Sequence, residues 1–189
     1  MAFKAIFAAG LFLAMTAASA AEVAGVKLDD KTRVGGNELT LNGAGLRKRA
    51  FFQVYAIGLY LPEKASNAAA VLEQPGPKRI AIHMLRDVGA DAFTEALADG
   101  IRANHSEDEA KALEPRVNEL AAIMAQLKEA RKGMAIALDW QPGAGTVMLV
   151  NGAARGKPIA GEDFYRALLR IWIGDKPVQG DLKRALLGT

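Results

Sequence analysis

The segment Gly43-Ala-Gly-Leu-Arg-Lys-Arg-Ala-Phe-Phe-Gln-Val-Tyr-Ala-Ile-Gly-Leu-Tyr-Leu61 couples a glycine-rich turn carrying one central arginine to an unusually apolar strand. Successive strand side chains alternate between faces. Phe51, Gln53, Tyr55, Ile57 and Leu59 therefore point one way, and Phe52, Val54, Ala56, Gly58 and Tyr60 the other. A strand that is apolar on both faces is covered on both faces. Pro62 ends it, because proline cannot donate to a central ladder. Upstream, Leu39 and Leu41 followed by Asn42-Gly43 read as a short strand with a turn-prone exit, which gives two strands joined near Arg47–Ala50.

Beyond this pair the pattern turns helical. Ala65 to Leu72 reads as a short helix closed by Pro75-Gly76-Pro77, and Arg79 to Leu85 as a further strand. Asp91 is placed to cap a helix running to about Asn104. Ser106 and Glu109 have capping-box spacing for the next helix, whose apolar positions Leu113, Val117, Leu120, Met124 and Leu127 form one face. Pro115 inside that pattern predicts a kink or restart at Leu113–Glu114. Met134 to Trp140 and Thr146 to Asn151 predict a hairpin, Glu162 to Ile173 an amphipathic helix stopped at Gly174, and Asp181 to Leu187 a last short helix. Strands, then helices, then a hairpin argue for an α+β domain.

The N-terminus reads as a processing segment. Lys4 precedes the apolar run Ala5 to Met15, and Ala18-Ser19-Ala20 has the small-x-small pattern of a cleavage site. The run is shorter than the ~20 apolar residues a bilayer span needs. The expected layout is a signal peptide over residues 1–20 and one domain over 21–189, periplasmic or secreted after cleavage, with no transmembrane segment in the mature form. The chain contains no cysteine, so such an exported domain stands on its core alone. With 24 basic and 21 acidic residues its charge is nearly balanced, and the basic residues form no stripe with stacking aromatics, which argues against nucleic acid as a partner.

Cofactor motifs fail in turn. Two Gly-Ala-Gly triplets invite a dinucleotide reading, but the third glycine of that fingerprint would fall at Lys48 or Met148, and both triplets read as turns. Two histidines, His83 and His105, fall short of the three or four clustered ligands of a zinc site, and core or capping roles suit them better. No nucleophile elbow is present, although spacing alone leaves a Ser-His-Asp arrangement open. No cofactor is expected. Arg47 is the residue with chemistry to offer. Tyr55 follows it at even spacing, which would put both on one sheet face beside an apolar strand. A guanidinium fork plus a phenol makes a good carboxylate clamp. The plainer assignment, a solvated Arg47 and a Tyr55 in the core, outweighs it on pattern alone, since a buried charge needs a partner.

Four stretches in order, "GAGLR" with "FFQVYAIGLYLP", "FTEALADGIRANH" and "FYRALLRIWIGDKPVQGDLKRALLG", are similar to the chalcone isomerase superfamily, and in particular to its bacterial chalcone isomerase-like branch. The resemblance covers most of residues 21–189. It implies an open-faced β-sandwich, a large antiparallel sheet with helices layered on one face and a ligand cleft between them. It also implies that Arg47 is the family arginine. Where the isomerases carry a strand threonine, a helix tyrosine, an asparagine and a serine or threonine near the C-terminus, this chain has Tyr55, Phe93, Gly100 and Ile171.

Closing a phenoxide onto an enone requires an oriented nucleophile and stabilisation of a developing enolate. Phe, Gly and Ile at those positions remove the polar network and leave an apolar cleft with one cationic end. What the resemblance then implies is a non-catalytic binder of a fatty acid or similar small amphipathic acid, with Arg47, Tyr55 and Phe93 at the ligand. Two other readings stay open: an isomerase of chalcone type, or another enzyme, dependent on Arg47, and an interaction module whose cleft is merely core.

Overall fold

The computed structural model describes residues 20–189, so the expected signal peptide lies, Ala20 apart, outside the described residues. The chain opens with β1 (Ala21–Val23), β2 (Val26–Leu28), β3 (Lys31–Val34), β4 (Asn37–Arg49) and β5 (Phe52–Leu61). The helix α1 (Ala68–Glu73), the strands β6 (Lys78–Met84) and β7 (Val88–Gly89), and the helices α2 (Ala90–Ala103) and α3 (Glu107–Ala125) follow. The last third holds β8 (Glu129–Ala130), β9 (Ala135–Gln141), β10 (Gly145–Val150), β11 (Ala153–Ile159), α4 (Glu162–Ile173) and α5 (Gly180–Leu187). Seven strands form one sheet in the order β11-β10-β9-β6-β5-β4-β3, and each neighbouring pair is antiparallel.

The alternation of apolar residues explains the layers. Ile57, Leu59 and Leu61 of β5, Ile80, Ile82 and Met84 of β6, and Ile136 and Leu138 of β9 share one buried cluster with Phe93, Leu97, Phe164, Leu168 and Trp172 of the helices. The opposite face carries a smaller cluster of Leu28, Val34, Leu39, Leu41 and Tyr60, packed with Val23 and Val26 of the β1–β2 hairpin. Strand β5 is thus buried on both faces from Ala56 to Leu61, as its composition requires. The same face holds a fork of ion-paired hydrogen bonds. Arg79 donates from Nε and Nη2 to the two carboxylate oxygens of Asp139, each at 2.6 Å, and from Nη1 to Thr32 Oγ1.

The fold corrects several local expectations. Asn42-Gly43 is no strand exit: β4 runs on through it to Arg49. A register shift makes Asn42 the extra residue between the pairs Leu41–Tyr60 and Gly43–Leu59. That bulge reverses which side β4 presents, so Leu39 and Leu41 face the small cluster while Gly43, Gly45 and Arg47 face the helices. The Asn42 side chain bridges it to the chain around it, donating to the carbonyls of Ala65 and Leu186 and accepting from the Ala65 amide.

The first Gly-Ala-Gly triplet is therefore mid-strand. A Cβ at Gly43 would run into the carbonyl oxygens of Ala185 and Leu186, and one at Gly45 into Leu182 Cδ1 at 2.6 Å, so the glycines admit α5 to the sheet. The second triplet is a turn as read. Asp91 lies in the first turn of α2 rather than at its N-cap, which is Gly89. Helix α3 carries its capping box, Ser106 with Glu109, and passes through Pro115 as one continuous helix. Phe51 and Phe52, read as the start of a covered strand, are exposed at the β4–β5 tip.

Candidate functional site

The sheet and the helices part at one end to leave a cleft of about 900 Å³, within the usual range for small-molecule sites. Its walls come from the ends of β4 and β5, from α2, and from α4 with the segment after it. Arg47, Tyr55, Phe93, Gly100 and Ile171, far apart in sequence, all line it.

Arg47 and Tyr55 are direct cross-strand partners. Even spacing alone does not achieve this. The two-residue turn Ala50–Phe51 pairs Arg49 with Phe52 and Lys48 with Gln53, a register that would set Val54 opposite Arg47. A register shift leaves Val54 as an extra residue and brings Tyr55 across from Arg47, with both side chains on the helix side.

The Tyr55 hydroxyl accepts a hydrogen bond from Trp172 Nε1 at 2.9 Å. Indole is a donor only, so the phenolic proton stays available for an acceptor in the cleft. Burial pushes the Tyr55 pKa up, against the opposing pull of the Trp172 hydrogen bond and the Arg47 charge. The group is therefore a neutral donor at physiological pH.

Arg47 donates from Nη1 to the Lys48 carbonyl and, at 3.4 Å, to Gln179 Oε1. Gln179 is itself fixed, accepting from the Lys48 amide at 2.9 Å and donating to the Leu46 carbonyl at 3.2 Å. Among the described residues Arg47 forms no ion pair. The guanidinium is oriented by neutral partners, and no described acid pairs with its charge. Sequence reasoning missed Trp172 and Gln179. One sits in an apolar helix and reads as core, and the other is a lone amide between helices with no spacing rule to mark it.

Gly100 and Ile171 are two sides of one contact. A Cβ on Gly100 would lie 2.8 Å from Ile171 Cγ2, so the isoleucine fills the space that a side chain at position 100 would need. With Phe93, Leu97 and Val178 they make the wall apolar. Acidic residues also reach the lining. Of these, Asp99 pairs with Arg102, and Asp87 accepts from the Lys132 amide. His83 sits on the far side of the sheet, beside Ala56, where burial lowers its pKa, and His105 bonds the Ile101 carbonyl at the end of α2.

An antiparallel sheet with helices on one face and a cleft between the layers defines the class of this protein. A family model described as chalcone isomerase-like matches residues 20–188, and the chain belongs to that family. Among solved structures it is similar to a fatty-acid-binding protein of Arabidopsis thaliana, with a TM-score of 0.66 and 16% sequence identity over 86% of this chain and 92% of that one. No match was found among curated proteins.

Proposed function

We propose that this protein is a non-catalytic binder of a fatty acid or similar small amphipathic acid, held in the sheet–helix cleft. The observation that carries the reading is the Arg47–Tyr55 pair: a guanidinium without a described acidic partner beside a neutral phenol with a free proton, next to the apolar stretch of wall made by Phe93, Leu97, Ile171 and Val178. A carboxylate accepts from both, and its tail lies along Phe93, Leu97 and Ile171. The likeness to a protein described as fatty-acid-binding supports the same reading. Residues 1–20 act as an export signal, and the domain works in the periplasm or outside the cell.

Two measurements test this. Native mass spectrometry of protein purified from its own host finds a co-purifying fatty acid; an empty protein indifferent to added fatty acids overturns the proposal. Ring closure of a chalcone stays at the spontaneous rate, because Phe93, Gly100 and Ile171 supply no polar group to orient a phenoxide. A large acceleration that disappears in Arg47→Ala would instead make the protein an isomerase.

A further inference from the structure

Phe51 and Phe52 are the large hydrophobic residues that the fold leaves exposed among the described residues, 99% and 58% respectively. They sit at the tip of the β4–β5 hairpin, where Ala50 holds a positive φ of 51° that a residue with a Cβ adopts only at some cost. The fold thus presents two phenylalanines on a strained turn rather than burying them. Single exposed hydrophobic residues are ordinary on protein surfaces, but a pair on one projecting tip is a different object.

The tip is also cationic. Lys48 and Arg49 flank the turn, and the Arg86 guanidinium lies over the Phe52 ring, 4.4 Å from its centroid. None of the three forms an ion pair with a described acid. Arg49, Phe52 and Arg86 belong to the mouth of the cleft as well, so the tip and the cleft entrance share residues. Aromatic side chains with cations beside them match an anionic bilayer surface, whose acyl region takes rings and whose headgroups take guanidinium and ammonium groups; the acid next to Arg86, Asp87, is taken up by the Lys132 amide.

We propose that the β4–β5 tip is a membrane-docking element. Phe51 enters the acyl boundary of an anionic bilayer, Lys48, Arg49 and Arg86 pair with its headgroups, and the cleft mouth is held against the lipid surface. That this serves to load or unload the cleft rests on the ligand reading above. Docking itself does not, because it is measured with no fatty acid added.

The test is co-sedimentation with vesicles of phosphatidylcholine alone or mixed with phosphatidylglycerol. Wild type and variants share the same N-terminus, so any effect of residues 1–20 cancels. The wild type sediments with the anionic vesicles and is released by salt. Phe51→Ser lowers partitioning by about tenfold or more, and Lys48→Gln by about fivefold. Neither side chain lines the cleft, so both variants keep wild-type affinity for a fatty acid in calorimetric titration. Phe51 is fully exposed, so Phe51→Ser folds with an unchanged thermal midpoint.

Docking is refuted if Phe51→Ser partitions like the wild type, or if vesicles without phosphatidylglycerol bind equally well. It is also refuted if the wild type ignores all vesicles but self-associates in ultracentrifugation through Phe51, since the tip then covers a second copy of the chain.

Discussion

Arg47 can serve a carboxylate because its described partners are a backbone carbonyl and the Gln179 amide, both neutral. A hydrogen bond to a charged group contributes about 1.5–3 kcal/mol net. Arg47→Ala should therefore weaken fatty-acid binding by roughly tenfold to a hundredfold. Arg47→Lys recovers part of this, because a point charge lacks the planar fork. Tyr55→Phe costs about 1 kcal/mol of affinity, and it lowers stability as well, because Trp172 Nε1 loses its acceptor. Arg49 shares the cleft mouth, so the control is Lys48→Ala, whose side chain does not line the cleft. If calorimetry shows Arg47→Ala and Lys48→Ala losing affinity alike, the attraction is diffuse surface charge and there is no clamp. The Gly100–Ile171 contact gives a second prediction. Gly100→Asn alone forces the amide into Ile171 and destabilises the fold, whereas Gly100→Asn in an Ile171→Ala background is accommodated. Denaturant unfolding of the four-member cycle should show a coupling of about 0.5–3 kcal/mol; additivity would mean the two positions do not share space. That Arg47 lines the cleft was legible only through the family motif, since the local pattern favoured a solvated residue. The Gly100–Ile171 exchange was legible only as two separate losses of polarity, since nothing in the spacing says that α2 and α4 meet there.

Helices were the easier elements to read. The Ser106–Glu109 capping box and the run from Glu162 to Gly174 carry their boundaries in local chemistry, and the structure keeps both. Strand β4 was harder, because a glycine that lets a helix approach and a glycine that turns a chain are the same letter. The two register shifts in the β4–β5 pair were invisible for a related reason: a bulge is fixed by what packs against it, at the first of them by Asn42 bonding to Ala65 and Leu186. The Arg79–Asp139 fork, which ties β6 to β9 and reaches Thr32 on β3, also went unread, since alternating polar residues on a strand usually face water. Asp139 is 2% exposed. Burial pushes its carboxyl pKa up, and the Arg79 hydrogen bonds and charge pull it back down. In Arg79→Met only the upward push remains, so an acid with a folded pKa above its unfolded value removes stability at neutral pH. That loss is relieved as the pH falls and the buried carboxyl binds its proton. Arg79→Met should therefore destabilise by about 3–5 kcal/mol near neutrality. The deficit should shrink toward about pH 4, and adding Asp139→Leu should recover most of it. A deficit that ignores pH would show that lost packing, not stranded charge, is responsible.

At the scale of the whole molecule, the layered sheet and cleft were legible through the order of four motifs, while β1, β2, β3 and β11 were not. Three- and four-residue strands are too short to show a period, and β11 is an edge strand with six of its seven residues exposed, so no apolar alternation marks it. The small strands nevertheless matter to how the chain is bounded. Ala21 is the first residue of β1, pairs with Leu28, and packs on the cluster under the hairpin. The expected cleavage after Ala20 would thus fall immediately before the first residue of the first strand. Removing residues 1–20 should leave the thermal midpoint unchanged, whereas a chain beginning at Lys31 loses Leu28, Val26 and Val23 from above Leu41 and Tyr60. Leu28 alone is 2% exposed, and burial of one leucine contributes about 1.5–3 kcal/mol, so the shorter chain should unfold at markedly lower denaturant. Protein recovered from its own host should carry Ala21 as its N-terminal residue by Edman sequencing and intact mass. A Met1 start would defeat the export reading and leave the fold argument untouched. A chain from Lys31 as stable as the chain from Ala21 would instead show that the hairpin only decorates the sheet, and that one layer of helices suffices to hold it.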